Sequence, residues 1–329
     1  MIVLLTWLIW SGKLDFKQLN ILYERPEILV ANILLWLMGS LLLGGFRWYL
    51  LLKGQGLIIS YYQVLRLQLI GFFFNTAIPG AVGGDIIKAI YVIKGLQSDR
   101  KTPAMLTILL DRVFGLCALF LLGAAAVISQ MSLILSNPLL FPIAAFVFAG
   151  SALIILGITW VLFISDKFPI IKNIHIPNFP ESSIFIGVYH AIRVYKSCPR
   201  YIFFAILLGI VMQYCAATYA FFLTEALTGN FPNFGSFMAI FTVGVMTTAL
   251  PLAPGGLGVG HIAFEKLYLL IGLTNGANVF NIMVLVQLLL NLLGLIPYLN
   301  FKSLNIPQIN ENTSFEHTQK KNLTQTVEN

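Results

Sequence analysis

The amino-acid sequence predicts an all-α polytopic membrane protein, and its composition and mean hydropathy are the observations that predict this class. Hydrophobic residues make up 58% of the 329 residues and charged residues only 10%, whereas soluble domains average about 45–50% and about 25%. With a mean hydropathy of +0.86, a soluble fold would expose most of its apolar surface to water. Soluble, fibrous and disordered classes are therefore excluded, and lipid is expected to cover the exterior.

The charged residues indicate membrane topology rather than nucleic-acid binding. The net charge of +7 comes from 20 basic and 13 acidic residues, which lie in short blocks between apolar runs. Such an excess is typical of cytoplasmic loops that carry Lys and Arg. The three cysteines have no paired short spacing, so neither a disulfide framework nor a zinc site is expected. No cofactor is predicted.

A helix that spans a bilayer needs about 20 mostly apolar residues. Five segments meet this requirement and are predicted to span: 28–46, 104–130, 139–164, 201–223 and 279–299. The apolar run 1–10 is too short to span comfortably, and with it the count of spanning helices is about six.

The orientation follows from the connections between these segments, because Lys and Arg favour the cytoplasmic side. Three basic connections are predicted to be cytoplasmic: 47–66, 94–101 and 167–200. Three connections with little or no charge are predicted to be external: 130–138, 225–236 and 272–281. The polar tail 302–329 is then cytoplasmic and disordered, which leaves 1–301 as one transmembrane domain in the cell membrane.

A long apolar stretch, 67–93, lies between two connections that are both predicted to be cytoplasmic, so the chain must enter the membrane and return. The stretch is broken in the middle by a Pro-Gly-x-x-Gly motif that begins at Pro79. Proline removes a backbone donor and glycines favour leaving a helix. This pattern predicts two half-helices that form a re-entrant hairpin entered from the cytoplasm.

A second hairpin is predicted over 237–272, entered from outside, with a Pro-Gly-x-x-Gly motif that begins at Pro254. A shift of 175 residues places the first motif on the second, and it also aligns the flanking helices of 28–130 with those of 201–299. Three crossings separate the halves, so the second half is predicted to be inverted. Inverted repeats with interrupted helices are found in many transporters, whose substrate site lies between the repeats.

The first break is a candidate lipid site, because irregular backbone at membrane depth must lie inside protein or line a cavity. Beyond Asn75, the glycines Gly80 and Gly84 lead into a helix that starts near Asp85. Free N–H groups at this helix start could receive an anion such as a lipid phosphate. Asp85 could instead cap the same groups, so capping and tight packing are an equal alternative.

Four charged residues are predicted to lie within the membrane near this break: Asp85, Lys88, Asp111 and Arg112. Placing one such charged side chain at the centre of a membrane-spanning helix costs about 2.5–3.5 kcal/mol of insertion free energy. Adjacent helical residues point about 100° apart, so Asp111 and Arg112 cannot simply neutralise each other. We expect Arg112 to pair with Asp85, and Asp111 with Lys88. The cluster either locks the hairpin to its neighbour or forms a polar passage for a lipid head group.

The second break contains Gly255 and Gly256 and leads to His261 and Glu265, which are four residues apart and share a helical face. A hydrogen bond between these two side chains is the favoured interpretation, with head-group or proton handling as the alternative. One histidine with one carboxylate does not predict a zinc site.

Two further patterns concern the cytoplasmic interface. Arg47 and Trp48 close the predicted segment 28–46 and are interpreted as interfacial anchors. Apolar residues recur at helical spacing over 182–195. That spacing predicts an amphipathic helix on the cytoplasmic surface, and packing on other cytoplasmic loops is an equal alternative.

In its ordered motifs the chain resembles the lysylphosphatidylglycerol synthase transmembrane-region family, also called flippase-like or UPF0104 membrane proteins. The resemblance covers most of 28–299. The motifs that carry it are Arg47-Trp48 and the segments 75–88, 110–115 and 250–261.

The resemblance implies a protein that moves a lipid between leaflets of a bacterial or archaeal cell membrane. The expected partners are anionic or aminoacylated phospholipids or polyprenyl-phosphate lipids, and a homo-oligomer is compatible with the sequence. The segment 302–329 is too short for the domain that aminoacylates phosphatidylglycerol in the full-length synthases, so synthase activity is not expected. The candidate substrate-binding residues are Asn75, Gly80, Gly84, Asp85, Lys88, Asp111, Arg112, Gly255, Gly256, His261 and Glu265.

The alternative from a different class is a membrane-embedded lipid or glycan transferase, or an accessory subunit of one. The sequence contains no Gly-x-Ser-x-Gly elbow, His-rich metal motif or Walker loop. Transport is therefore the favoured hypothesis, and no enzymatic activity is predicted.

Overall fold

The computed structural model describes residues 20–78, 83–94, 96–136, 138, 140–160, 194–248 and 258–300, and within these ranges no strand forms. The helices are α1 Asn20–Glu24, α2 Pro26–Gly54, α3 Tyr61–Ala77, α4 Gly83–Ile93, α5 Ser98–Ser129, α6 Met131–Ser136, α7 Phe141–Thr159, α8 Arg200–Thr228, α9 Phe234–Thr248, α10 Val259–Leu270 and α11 Gly276–Leu299. A short 3-10 helix, Tyr195–Ser197, precedes α8. The predicted all-α class is confirmed.

Five helices in the described part of the chain are long and apolar enough to cross a membrane: α2, α5, α7, α8 and α11. They coincide with the five predicted segments, and the polytopic class is confirmed. The predicted segments 1–10 and 302–329 lie outside the described residues. The predicted end of the first span at residue 46 is wrong, because α2 continues to Gly54 through the apolar residues that follow Trp48.

Helix α2 is not regular throughout, since Leu35–Leu43 forms a π-helix in its middle. A π-helix widens the turn and is frequently found at functional sites. Gly39 lies in this segment and is buried. The widened part of α2 faces α8, so the irregular turn lies at a central helix–helix contact.

A helix is present on each side of both predicted breaks, and each pair packs as antiparallel neighbours. In the first pair, α3 and α4, the backbone of Gly84 lies directly against the backbone of Gly71. In the second pair, α9 and α10, Gly244 lies against the ring of Phe264. The connecting residues 79–82 and 249–257 lie outside the described residues.

The two halves pack reciprocally across the molecule. Helix α3 of the first half packs on α11 of the second, where Asn291 donates from Nδ2 to Thr76 Oγ1 at 3.2 Å. Helix α9 of the second half packs on α5 of the first, where Ser236 donates from Oγ to Gln130 Oε1 at 3.1 Å. Each half therefore completes its packing with the last helix of the other.

The central helices α2 and α8 are 29 residues each and run antiparallel. Asn32 near the start of α2 donates to the Tyr219 hydroxyl near the end of α8 at 2.9 Å, and Arg47 near the end of α2 lies against Gly209 near the start of α8. A two-fold rotation that exchanges antiparallel helices has its axis perpendicular to them. The inverted repeat stays a prediction.

The segment before α8 packs on the end of α2. Tyr195 is fully buried and donates from its hydroxyl to the carbonyl of Leu51 at 2.6 Å, and burial raises the pKa of this phenol. A Cβ at Gly54 would overlap the same ring, so this glycine makes room for it. The predicted amphipathic helix over 182–195 falls mostly outside the described residues. Its last residue packs against another segment, as in the packing alternative.

Candidate functional site

Five charged residues of the first half form two ion-paired groups on α2, α4 and α5, hereafter together the charge cluster: Arg47 with Asp111, and Asp85 with Lys88 and Arg112. Asp85 lies in the first turn of α4 and binds two cations. Lys88 Nζ is 3.2 Å from Asp85 Oδ1, and Arg112 Nε donates to Asp85 Oδ2. The predicted pair of Arg112 and Asp85 is confirmed. The pair joins α4 to α5.

The predicted pair of Asp111 and Lys88 is wrong, because Asp111 binds Arg47 instead. Arg47 Nε is 2.7 Å from Asp111 Oδ1 and Nη2 is 3.1 Å from Oδ2. This two-point geometry is the strongest that an arginine and a carboxylate can form. Both side chains are largely buried, with 12% and 11% of their surfaces exposed. Arg47 therefore ties α2 to α5, and its predicted role as an interfacial anchor is wrong.

Lys88 points away from Asp111 towards α2 and α3. Its Nζ lies 4.8 Å from the centre of the Trp48 ring and 3.4 Å from Gln68 Oε1. The ring face is negative and attracts the ammonium group. Trp48 is fully buried, and its Nε1 donates to Thr107 Oγ1 at 3.1 Å. The anchor role predicted for Trp48 is wrong too, since α2 continues beyond it and buries it.

The structure gives Gly84 a packing role rather than the predicted role in anion binding. Its N–H donates to Asn75 Oδ1 at 2.8 Å, so the amide at the end of α3 caps the start of α4. A Cβ on Gly84 would overlap the carbonyl oxygen of Gly71. Asp85 is engaged by its two cations rather than by capping. Gly80 lies outside the described residues.

His261 and Glu265 do not form the predicted pair, because each binds a different partner. His261 Nδ1 accepts the N–H of Gly258 at 3.3 Å, and its Nε2 is 3.5 Å from Asn281 Oδ1. Glu265 Oε2 accepts the N–H of Ala277 at 3.0 Å, in the first turn of α11, where a carboxylate is favourable. Both side chains fix helix starts.

Gly258 itself has φ +86°, a conformation that side chains other than glycine rarely adopt. It begins α10 where Gly83 begins α4, and these two glycines are equivalent under the 175-residue shift. Gly255 and Gly256 lie outside the described residues.

A cavity of about 430 Å³ lies between the two halves, where α2, α3, α5 and α8 to α11 meet. Its volume falls in the range of small-ligand sites. Among the described residues that line it, Arg112 carries a charge and the other polar ones are neutral hydrogen-bonding groups. These are Asn32, Ser40, Asn75, Thr76, Gln213, Thr248, Gln287 and Asn291.

An apolar groove of about 540 Å³ lies between α2 and α8. The groove and the cavity share Leu35, Gly39 and Met212 as lining residues, so the π-helical part of α2 separates them. At one end of the groove, Arg25 Nη1 is 3.1 Å from Glu225 Oε2. A cavity lined by both polar and apolar residues and an apolar groove thus lie side by side.

Sequence reasoning identified Asn75 and Arg112 and missed the other polar residues of the cavity. Asn32, Gln213 and Asn291 lie among apolar residues of long helices, and no local motif marks them. The signal that could have identified them is an amide side chain inside an apolar spanning helix. Such side chains commonly face the interior of the bundle and hydrogen bond to a neighbouring helix.

A bundle of apolar spanning helices with a polar cavity between its halves defines a polytopic membrane protein whose site lies within the bundle. The family described as the lysylphosphatidylglycerol synthase transmembrane region matches residues 1–297, and the chain belongs to this family. A UPF0104 membrane protein of Pyrococcus horikoshii is 22% identical over 291 residues, which cover 83% of this chain and 84% of the relative. No solved structure shows a significant match. The resemblance predicted from the sequence motifs is confirmed.

Proposed function

We propose that the protein moves a lipid between the two leaflets of the cell membrane. The observation that carries this proposal is the polar cavity beside an apolar groove, with Leu35, Gly39 and Met212 lining both. A membrane lipid has the same division into a polar head group and apolar chains. The cavity suits the head group, and the groove and the surrounding bilayer suit the chains.

The barrier to lipid movement is the transfer of the head group through hydrocarbon. A polar group without a hydrogen-bonding partner costs about 2–7 kcal/mol in an apolar medium. Amides such as Asn32, Gln213 and Asn291 replace the hydrogen bonds that water supplies outside. Because they come from both halves, a small movement of one half against the other changes the cavity on both sides.

The two antiparallel helix pairs support alternating access to this cavity. We propose that α3–α4 and α9–α10 are re-entrant and enter from opposite sides, with the basic connections and the C-terminal tail in the cytoplasm. In inverted-repeat transporters, access alternates as one repeat rocks against the other around a fixed site. The reciprocal contacts of α3 with α11 and of α9 with α5 are the surfaces on which such rocking would occur.

The proposal is tested by reconstituting the pure protein into liposomes that carry a fluorescent phospholipid in both leaflets. A membrane-impermeant reductant then bleaches the outer leaflet. Without transport about half of the signal survives, whereas transport exposes the inner pool and removes most of it. Ser40→Trp fills the cavity and is expected to restore the half-signal plateau, because Ser40 lines the cavity.

The matched control is Leu153→Trp, which introduces the same side chain at a position 74% exposed on α7. This variant is expected to transport as the unsubstituted protein does. Equal bleaching with and without protein would contradict the proposal. Conversion of the added lipid to a new product by the pure protein would favour the transferase alternative.

A further inference from the structure

We infer that the cavity takes an anionic, phosphate-bearing head group, and that Arg112 binds it by exchanging Asp85 for the phosphate. This inference rests on the proposed function and specifies its substrate class. Three observations support it: the net charge of the charge cluster, the position of Arg112 at the cavity, and the binding of Lys88 to the same carboxylate of Asp85.

The charge cluster holds three cations and two carboxylates, so it carries one excess positive charge. Arg47 is held by both oxygens of Asp111. Lys88 is buried between Asp85, Gln68 and the Trp48 ring. The excess charge therefore belongs to the group of Asp85, Lys88 and Arg112, in which two cations share one carboxylate.

Arg112 is also the member of the cluster that reaches the cavity. Its side chain is 42% exposed, whereas those of Asp85 and Lys88 are 12% and 8% exposed. Among the described cavity-lining residues, Arg112 is the charged one. A guanidinium group offers several donors in a planar fork that matches a phosphate.

Lys88 makes the exchange feasible. If Asp85 had Arg112 as its counter-ion and nothing else, movement of Arg112 to a phosphate would leave a carboxylate unpaired within the membrane. Lys88 lies 3.2 Å from the same carboxylate and keeps it neutralised. Arg112 can thus alternate between Asp85 and a ligand while Asp85 retains a partner.

A cationic head group does not fit this arrangement. To reach Asp85, a cationic group would have to take the place of Arg112 on the carboxylate. It would then lie close to Lys88, which binds the same carboxylate, and like charges at such distances repel. The phosphate itself could be carried by a glycerophospholipid or by a polyprenyl chain. We expect the cavity to recognise what these two lipids share, a phosphate with no cationic group beside it.

The test is equilibrium binding of lipids to the full-length protein in detergent, with four separate probes: phosphatidylglycerol, lysyl-phosphatidylglycerol, phosphatidylcholine and a polyprenyl monophosphate. Phosphatidylglycerol and the polyprenyl phosphate are expected to bind more tightly than the other two. Their ratio shows which carrier is preferred, and preference for either of them over the cationic lipid supports the inference.

Two substitutions are expected to act in opposite directions. Arg112→Gln should weaken binding of phosphatidylglycerol at least about tenfold, the loss of one hydrogen bond to a charged group, and Arg112→Lys should recover part of it. Asp85→Asn should strengthen binding, because the competitor of the phosphate is removed. Arg66→Gln is the matched control: Arg66 is hydrogen bonded to the Asn300 carbonyl outside the cluster, and no change is expected.

Each variant is first shown to be monodisperse, with an unchanged thermal midpoint. Two results would overturn the inference: tighter binding of lysyl-phosphatidylglycerol than of phosphatidylglycerol, or loss of phosphatidylglycerol binding in Asp85→Asn. Either result would indicate that Asp85 binds the cationic part of a head group. These results are distinct from failure of the proposed function. A protein that binds phosphate lipids in this pattern but moves none in liposomes fails as a transporter, and one that moves all lipids equally fails this inference alone.

Discussion

The two helix pairs, α3–α4 and α9–α10, occupy equivalent places in the two halves but carry opposite chemistry. The first pair holds Asp85 and Lys88 and binds Arg112. The second pair is held by aromatic rings: Phe241 contacts Phe264 at 5.8 Å and Phe237 contacts Tyr268 at 5.7 Å between ring centres. The halves therefore share a packing arrangement and differ in charge.

This difference shows that two helix pairs with the same antiparallel packing can carry different side-chain chemistry. A charged site within a membrane needs a firm support, because the pairing of its charges depends on distances of about 3 Å. The aromatic pair supplies that support through ring contacts, and its carboxylate Glu265 fixes the start of α11. We interpret the first pair as the chemical half of the site and the second as its scaffold.

The largest effect is expected from breaking the ion pair between α2 and α5, the helices that pack on the first pair. Asp111→Asn leaves the partly buried Arg47 without its counter-charge and should lower the free energy of unfolding by about 3–5 kcal/mol. The double variant Arg47→Met/Asp111→Leu removes both charges and should recover most of this loss. Thermal unfolding in detergent measures both, and equal destabilisation by the single and double variants would contradict the role of the pair.

A smaller effect is expected from Gly84→Ala, which tests how tightly the first pair must close. The new Cβ would overlap the carbonyl of Gly71, and backbone cannot move aside as a side chain can. We expect a loss of about 1–3 kcal/mol. Gly157→Ala on α7 is the matched control, because a Cβ there meets nothing within 4 Å. A midpoint as high as that of the control would show that α3 and α4 can separate without cost.

The smallest effect is expected in the scaffold half, with Tyr268→Phe. The ring contacts remain, and only the hydrogen bond between the Tyr268 hydroxyl and Thr224 Oγ1, at 2.9 Å, is lost. The expected change is about 0.5–1.5 kcal/mol, with lipid movement in liposomes unchanged. Loss of transport without loss of stability would give the second pair a chemical role and would remove the distinction between the halves.

The fold class was predictable because hydrophobic length alone decides whether a helix can span a membrane. The pair of Arg112 with Asp85 was predictable too, since charges placed within apolar segments must be neutralised. The partner of Asp111 was missed because Arg47 follows a long apolar run and resembles its end. Leu51 and Leu52 continue that run beyond the charge and become fully buried, so α2 does not end there.

The polar cavity could not be predicted in full, because it is assembled from helices far apart in the sequence. Thr76 and Asn291, for example, are 215 residues apart and hydrogen bond through Nδ2 and Oγ1. The local sequence around each residue does not identify its partner. Only the packing of α3 on α11 brings them together.

The bond between Arg47 and Asp111 also has a consequence for the order of synthesis. Arg47 leaves the ribosome 64 residues before Asp111, so α2 is made with an arginine whose carboxylate partner has not yet been made. A long cationic side chain near a helix end can extend to the lipid–water interface. When α5 is inserted, Asp111 can bind Arg47 and draw this side chain into the protein. Insertion of α5 is therefore the step at which α2 takes its native position.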